Sequence, residues 1–101
     1  MKTRDVDIRT SLHHRLKHEH AENLADTLIL DELSLCQGDA RIDVAVINGA
    51  INGYEIKSES DTLERLPRQS EVYNKVFDTV TILTASRFID DLIDLIPDWW
   101  G

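Results

Sequence analysis

The sequence predicts an α+β domain in which one sheet is flanked by helices. Apolar residues recur at helical spacing near both ends of the chain, whereas the middle alternates apolar and polar residues as strands do. Asn48-Gly49 between two such segments is a strong hairpin signal. A length of 101 residues suits one hydrophobic core, so we expect a single domain over residues 1–101. The predicted order is α-β-β-β-α-β-α.

The first half of the chain is predicted to form one helix and three strands. Residues 5–20 have near-helical apolar spacing, and acids at their start suit the positive end of a helix. Residues 27–35 are apolar enough for a first strand. Residues 41–47 alternate as a second strand, which we expect to place Ile42, Val44 and Val46 on one face. Residues 54–59 predict the third strand.

The second half is predicted to form a helix, a strand and a last helix. Ser60 or Asp61 is expected to cap a short turn, and Pro67 favours the first turn of the helix that follows. That helix is expected to run to about residue 78. Residues 80–84 predict the fourth strand. Residues 87–96 predict an amphipathic helix that ends before a proline.

Composition limits the class of protein. The single cysteine, Cys36, excludes an intrachain disulfide framework and favours a reducing cytoplasm, where we expect the chain to reside. No apolar run is long enough to cross a bilayer, so no membrane partner is expected. The net charge of -8 means that binding to DNA would depend on a local basic groove and would be modest in affinity.

Two acids and a lysine on neighbouring strands form the most informative pattern. Glu55 and Lys57 are two residues apart and therefore share one face of the third strand. Residues directly opposite each other in a hairpin point to the same face. Asp43 therefore shares a face with Glu55 and Lys57 only if it lies opposite an odd-numbered residue, so that the two residue numbers of each pair add to an even value. A two-residue turn at Asn48-Gly49 gives an odd sum. We therefore predict either a three-residue loop over residues 47–49 with Gly49 left-handed, or a bulge at Gly53.

Such a cluster has a chemical use if its members meet. Asp43 and Glu55 can supply carboxylate ligands to Mg²⁺ or Mn²⁺, and the Ile56 carbonyl can add a third oxygen. Lys57 can stabilise negative charge that develops on a substrate. The alternative is a solvent-facing strand surface on which these charges form a cross-strand ion pair.

The spacing of these residues resembles that of a known superfamily. Asp43 followed by Glu55-x-Lys57, on adjacent strands before a helix, resembles the PD-(D/E)XK nucleases, which include restriction endonucleases. Glu32 precedes the Asp43 strand as an additional acid does in many members, and Gln69-x-x-x-Tyr73 also resembles a motif of the superfamily. Further strings around these residues are similar to a small bacterial and phage branch of it.

The resemblance implies a restriction-endonuclease-like αβββαβ core with a mixed four-stranded sheet flanked by helices. It implies a Mg²⁺- or Mn²⁺-dependent deoxyribonuclease that hydrolyses phosphodiester bonds, with Asp43, Glu55, Lys57 and Glu32 as catalytic residues. Asp43, Glu55 and Ile56 would hold the metal ion. Repair, phage biology or defence would be the setting.

Other residues are expected to contact a substrate or partner. Gln69, Tyr73, Arg65 and Arg68 are the substrate-binding candidates, although Tyr73 could instead pack in the core and the arginines could be solvated cations. Trp99 and Trp100 either fold back over the last helix or present a surface to a protein partner or a second copy. The alternative function is a weak or inactive nuclease-fold module that binds DNA or a protein.

Overall fold

A computed structural model describes residues 5–35, 38, 40–58, 61–85, 88–97 and 99–101. Within this part of the chain, helices and strands follow the predicted α-β-β-β-α-β-α order, with an additional 3₁₀ helix after the first helix. The elements are α1 (Asp5–Glu19), the 3₁₀ helix (Ala21–Asp26), β1 (Leu28–Leu35), β2 (Ala40–Ile47), β3 (Ile51–Lys57), α2 (Leu66–Val76), β4 (Thr79–Thr84) and α3 (Ile89–Leu95).

The strands form one mixed sheet in the order β1-β2-β3-β4. The first three strands are antiparallel neighbours, because short connections join them. β4 lies parallel to β3, and α2 makes the crossover connection that a parallel pair requires. The predicted α+β class and mixed four-stranded sheet are therefore confirmed.

The two faces of the sheet carry different cores. On one face α1 packs through Leu12 and Leu16 against Val44 and Val46 of β2. On the other face a larger cluster joins β2 to α2 and α3 and includes the following buried residues: Ile42, Ala45, Leu66, Val72, Tyr73, Phe77, Val80, Leu92 and Trp100. Because neighbouring residues of β2 point to opposite faces, this one strand supports both cores.

The turn of the β2–β3 hairpin has the predicted parity. Ile47 pairs with Ile51 and Val44 with Tyr54, so three residues form the loop and the paired numbers add to an even value. Gly49 has φ 97°, a conformation that L side chains rarely adopt. The loop covers residues 48–50 rather than the predicted 47–49, and β3 begins earlier than predicted, at Ile51.

One predicted strand face is wrong. Val44 and Val46 pack against α1, but Ile42 belongs to the cluster on the α2 face. The irregularity lies beside Glu32 of the neighbouring strand, which has φ 54°. Asp31 pairs with Val44 and Leu33 with Ile42 on either side of it. The change of face between Val44 and Ile42 therefore coincides with this irregularity of β1.

Asp61, the candidate cap of the short turn before α2, is hydrogen-bonded to the segment that precedes it. Pro67 lies in the first turn as predicted, but the residue before the helix is Arg65 and makes no capping side-chain hydrogen bond. Asp61 Oδ2 instead accepts hydrogen bonds from the Ser58 backbone N–H at 2.6 Å and the Ser58 hydroxyl at 3.0 Å. Asp61 therefore secures the segment that follows β3.

Several predictions concern residues outside the described part of the chain, namely the cap at Ser60, the start of the last helix at Arg87, and Cys36. In the described residues no helix is both long and apolar enough to span a membrane.

Candidate functional site

The hairpin register brings the predicted acids together. Because Val44 pairs with Tyr54, the same register places Asp43 opposite Glu55. Lys57 lies two residues further along β3, on the same strand face as Glu55. Glu55 and Lys57 are both buried, with exposed fractions of 3% and 7%. The sequence therefore predicted which residues meet, and their chemical roles stay a prediction.

Asp43 lies where the regular pairing of β2 with β3 ends. Its Oδ2 accepts a hydrogen bond from the Ile56 backbone N–H at 2.8 Å, so a side chain satisfies this strand amide. Arg9 donates to its Oδ1 at 3.3 Å and to its backbone carbonyl at 3.0 Å. Burial raises the pKa of the Asp43 carboxyl, and the Ile56 amide and Arg9 oppose this rise.

Glu55 is the most strongly perturbed acid of the cluster. Burial, with a smaller effect from the Asp43 charge, raises its pKa from 4.5 to about 7. Lys57 Nζ lies 3.3 Å from Glu55 Oε2 and opposes the rise in pKa. Because the pKa is near neutrality, this buried carboxyl exchanges a proton in the physiological pH range.

Tyr73 of α2 links Glu55 to the backbone of β2. Its hydroxyl oxygen lies 2.8 Å from Glu55 Oε1 and 2.9 Å from the Arg41 carbonyl oxygen. A hydroxyl has one proton, so it donates to one of these acceptors at a time. Protonated Glu55 can donate to Tyr73, which then donates to Arg41. Burial and the Glu55 charge raise the pKa of Tyr73, which keeps the phenol protonated.

Gln69 lies one turn before Tyr73 on α2, and the two side chains share a helix face as predicted. Its Nε2 donates to Glu55 Oε2 at 3.1 Å. Its Oε1 is buried and has no hydrogen-bond partner among the residues that the structure describes. A buried acceptor without a donor is unusual in a folded protein.

Glu32 reaches the cluster through arginines rather than directly. Arg9 lies 2.6 Å from Glu32 Oε1, and Arg41 Nε lies 3.0 Å from Glu32 Oε2. Arg9 therefore bridges Glu32 and Asp43. Sequence reasoning did not identify Arg9 as a site residue. The available signal was its position three residues before Leu12 on the buried face of α1.

A polar cleft of about 1010 Å³ opens beside these groups. Arg65 and Arg68 line it from the segment that enters α2 and from the first turn of that helix. Both are exposed, and Arg68 also forms an ion pair with Glu71 at 3.1 Å. The other residues of the lining that concern the site are Glu32, Arg41, Asp43, Glu55, Ile56, Lys57, Asp61 and Gln69. All the predicted site residues except the core residue Tyr73 thus line one cleft.

The two tryptophans have different environments. Trp100 is 7% exposed, packs against Tyr73 at a ring-centroid distance of 6.2 Å, and donates from Nε1 to Asn74 Oδ1 at 2.8 Å. Trp99 is 50% exposed. Trp100 therefore belongs to the core, and Trp99 is the member of the pair that can contact a partner.

The carboxylates already have donors from the protein. Each oxygen of Asp43 and Glu55 lies near an arginine, lysine, amide or hydroxyl donor. In the described part of the chain, no three His, Cys, Asp or Glu side chains are grouped to hold a metal ion. Arg9 and Lys57 supply the positive charge that a dication would bring. These protein donors would compete with a metal ion for the same oxygens, and binding of Mg²⁺ or Mn²⁺ stays a prediction.

Comparison with known proteins identifies a different family from the one that the motif indicated. The family model described as bacteriophage P4 protein cII matches residues 2–101. Protein cII of Enterobacteria phage P4 is 35% identical over 69 residues, which are 68% of this chain and 26% of that relative. No solved structure matches the chain.

The interpretation of the chain as a PD-(D/E)XK nuclease is therefore wrong. The prediction of a metal-dependent deoxyribonuclease that hydrolyses phosphodiester bonds rested on that resemblance and is wrong with it. The motif misled because one Asp and Glu-x-Lys are few residues, and the same residues can form a buried, charge-balanced cluster. The chain belongs to the bacteriophage P4 protein cII family.

Proposed function

We propose that this chain is a phage protein that binds DNA, without cutting it, through the cleft beside Glu55 and Lys57. The observation that carries the proposal is a group of four basic residues there, two of which, Arg65 and Arg68, are exposed on the α2 side of the cleft. Arg41, Lys57, Arg65 and Arg68 are four of the chain's 11 lysines and arginines, and all four line this one cleft. In a chain of net charge -8, such a local basic group is where phosphates would be attracted.

Among the residues that the structure describes, the cleft also contains five acids, Glu32, Asp43, Glu55, Asp61 and Glu64, and four of them have partners within the protein. Glu32 is paired with Arg9 at 2.6 Å and with Arg41 at 3.0 Å, so Arg41 is already engaged by an acid of the cleft. Glu55 is held beside Lys57 and is partly protonated near neutral pH, because its pKa is about 7. These internal pairs leave the arginines of the α2 side as the cations best placed to contact phosphate oxygens.

Arg65 and Arg68 are the main phosphate contacts of the proposal. Both are exposed, and a guanidinium can bind phosphate oxygens in a bidentate manner. The ion pair of Arg68 with exposed Glu71 is weak in water and would yield to a phosphate.

The overall charge limits the affinity. Affinity falls as salt rises. Two or three phosphate contacts make the logarithm of affinity decrease by about 2 to 3 for each tenfold rise in salt, since each contact contributes roughly 0.9. We therefore expect binding that is weak at physiological salt and clear at low salt. The cytoplasm is the proposed compartment, because phage DNA is present there.

Fluorescence anisotropy with labelled duplex, branched and single-stranded DNA tests the proposal. The measurements are made in EDTA over a range of salt concentrations, with wild type, Arg65→Ala/Arg68→Ala and the matched control Lys75→Ala on the same helix. We expect the double variant to lower the salt slope by about 2 and the control to leave it unchanged.

Two results would overturn the proposal. One is an absence of binding by the folded wild type at low salt. The other is equal binding by the double arginine variant and the Lys75→Ala control. Gel analysis of the DNA after incubation with Mg²⁺ is expected to show uncut DNA.

A further inference from the structure

The outward side of α3 carries an apolar row beside an acidic row. Ile89 and Ile93 are 51% and 68% exposed and lie one helical turn apart. Asp90 and Asp94 follow them in sequence and form a parallel row with the same spacing. Leu92 is the buried residue of this helix. In the described part of the chain, this apolar and acidic face has no covering element.

The exposed side of α1 has complementary properties. A groove of about 570 Å³ is lined there by Arg9, Thr10, Ser11, His13, His14 and Lys17, a set without an acid. Thr10, His14 and Lys17 are exposed and lie at successive turns of α1. Arg9 and His13 have acidic partners within the protein, so Lys17 is the free-standing cation of this groove among its described residues.

We propose that α3 of one copy of this chain docks in the α1 groove of a second copy. Ile93 would enter the groove, and Asp90 and Asp94 would lie against Lys17 and the neighbouring histidine. Charge complementarity selects this occupant. A nucleic acid could meet the basic groove but not the acidic face of α3, whereas a second copy satisfies both surfaces with one contact.

The topology dictates how such copies assemble. α1 packs on Val44 and Val46, whereas Leu92 of α3 belongs to the core that contains Ala45. Since adjacent residues of β2 point to opposite sides of the sheet, α1 and α3 lie on opposite faces. The contact is therefore head-to-tail. Each pair keeps one unused α1 groove and one unused α3 face, so the assembly can extend or close into a ring.

Single-helix contacts of this kind are small, so association is expected to be weak and salt-sensitive. In sedimentation equilibrium, the average mass of the wild type should rise above 11.6 kDa as protein concentration increases, and should return towards it at high salt.

Charge reversal provides the decisive test. Lys17→Asp reverses the charge of the α1 groove and leaves the α3 face unchanged. Asp94→Lys reverses a charge on the α3 face and leaves the groove unchanged. Each variant alone should remain a monomer. An equimolar mixture should associate, because the intact α3 face of one variant can meet the intact groove of the other. Lys75→Asp and Glu22→Lys, at exposed positions elsewhere, are matched controls that should associate as wild type does.

Several outcomes would overturn the proposal. These are a wild type that is monomeric at every concentration, variants that associate as wild type does, and a variant mixture that remains monomeric although circular dichroism shows both proteins to be folded. DNA binding that Lys17→Asp abolishes, without any self-association of the wild type, would assign the groove to nucleic acid instead.

Discussion

The two halves of the β2–β3 hairpin are held together by different physical means. In the turn half, Val44 to Ile47 pair regularly with Ile51 to Tyr54, and Val44, Ala45 and Val46 are fully buried. In the open half, which lies beyond the Val44–Tyr54 pair, the Asp43 carboxylate accepts a hydrogen bond from the Ile56 amide. Glu55 and Lys57 are buried there as a charge pair. The same two strands thus pass from hydrophobic packing to a polar site within a few residues.

This difference shows what a polar site requires of its scaffold. The turn half is stabilised by apolar burial, whose free energy does not depend on protonation. The open half depends on charge balance, because an isolated charge in this position would be costly. Stability of the open half should therefore change with pH and with single charge substitutions, and that of the turn half should not.

The largest expected effect is from removing the buried cation. Lys57→Met leaves Glu55 buried without a lysine partner. At about pH 8 this should lower the free energy of unfolding by about 4 kcal/mol. Near about pH 5 Glu55 binds a proton and the loss should shrink. Urea unfolding at both pH values measures this. A loss that is equal at both would contradict a charge-based role for Lys57.

Glu55 should dominate the pH dependence of stability. Its pKa rises from 4.5 in the unfolded chain to about 7 in the fold, so the folded state retains a proton that the unfolded state has lost. Stability should therefore fall by roughly 3 kcal/mol as pH rises between these values, and then level off. Glu55→Gln should remove most of this slope in urea unfolding. An unchanged slope would show that other groups carry it.

The turn half should respond weakly and without regard to pH. Gly49 has φ 97°, and a Cβ added there would meet no atom within 4 Å. Gly49→Ala should therefore cost only backbone strain, about 1 kcal/mol, in thermal or urea unfolding. A pH-dependent loss in this variant would show that the two halves are not energetically distinct.

Much of the difference between the two halves of the hairpin could be predicted from residues that are close in sequence. The element order followed from periodicity, and the meeting of Asp43 with Glu55 followed from the parity of the loop around Gly49. The loop boundary was displaced by one residue, since Asn48 and Gly49 suit more than one three-residue loop.

Long-range geometry accounts for what sequence reasoning missed. Ile42 changes face at the point where Glu32 of the neighbouring strand has an irregular backbone, and nothing local to Ile42 indicates it. Arg9 lies 34 residues before Asp43, to which it donates, and no spacing rule connects the two positions. The family interpretation failed for a related reason. Three charged residues can identify a cluster, but its charge balance is decided by partners from other elements.

The central claim is that the open half of the hairpin forms a DNA-binding cleft, and chemical-shift mapping tests it most directly. Unlabelled DNA is titrated into ¹⁵N-labelled protein at low salt in EDTA. We predict that the amide signals of Glu55, Ile56, Arg65, Arg68 and Gln69 shift progressively, while those of the hairpin turn at Gly49 do not. Shifts confined to α1, or no shifts in any residue, would contradict the assignment of this cleft.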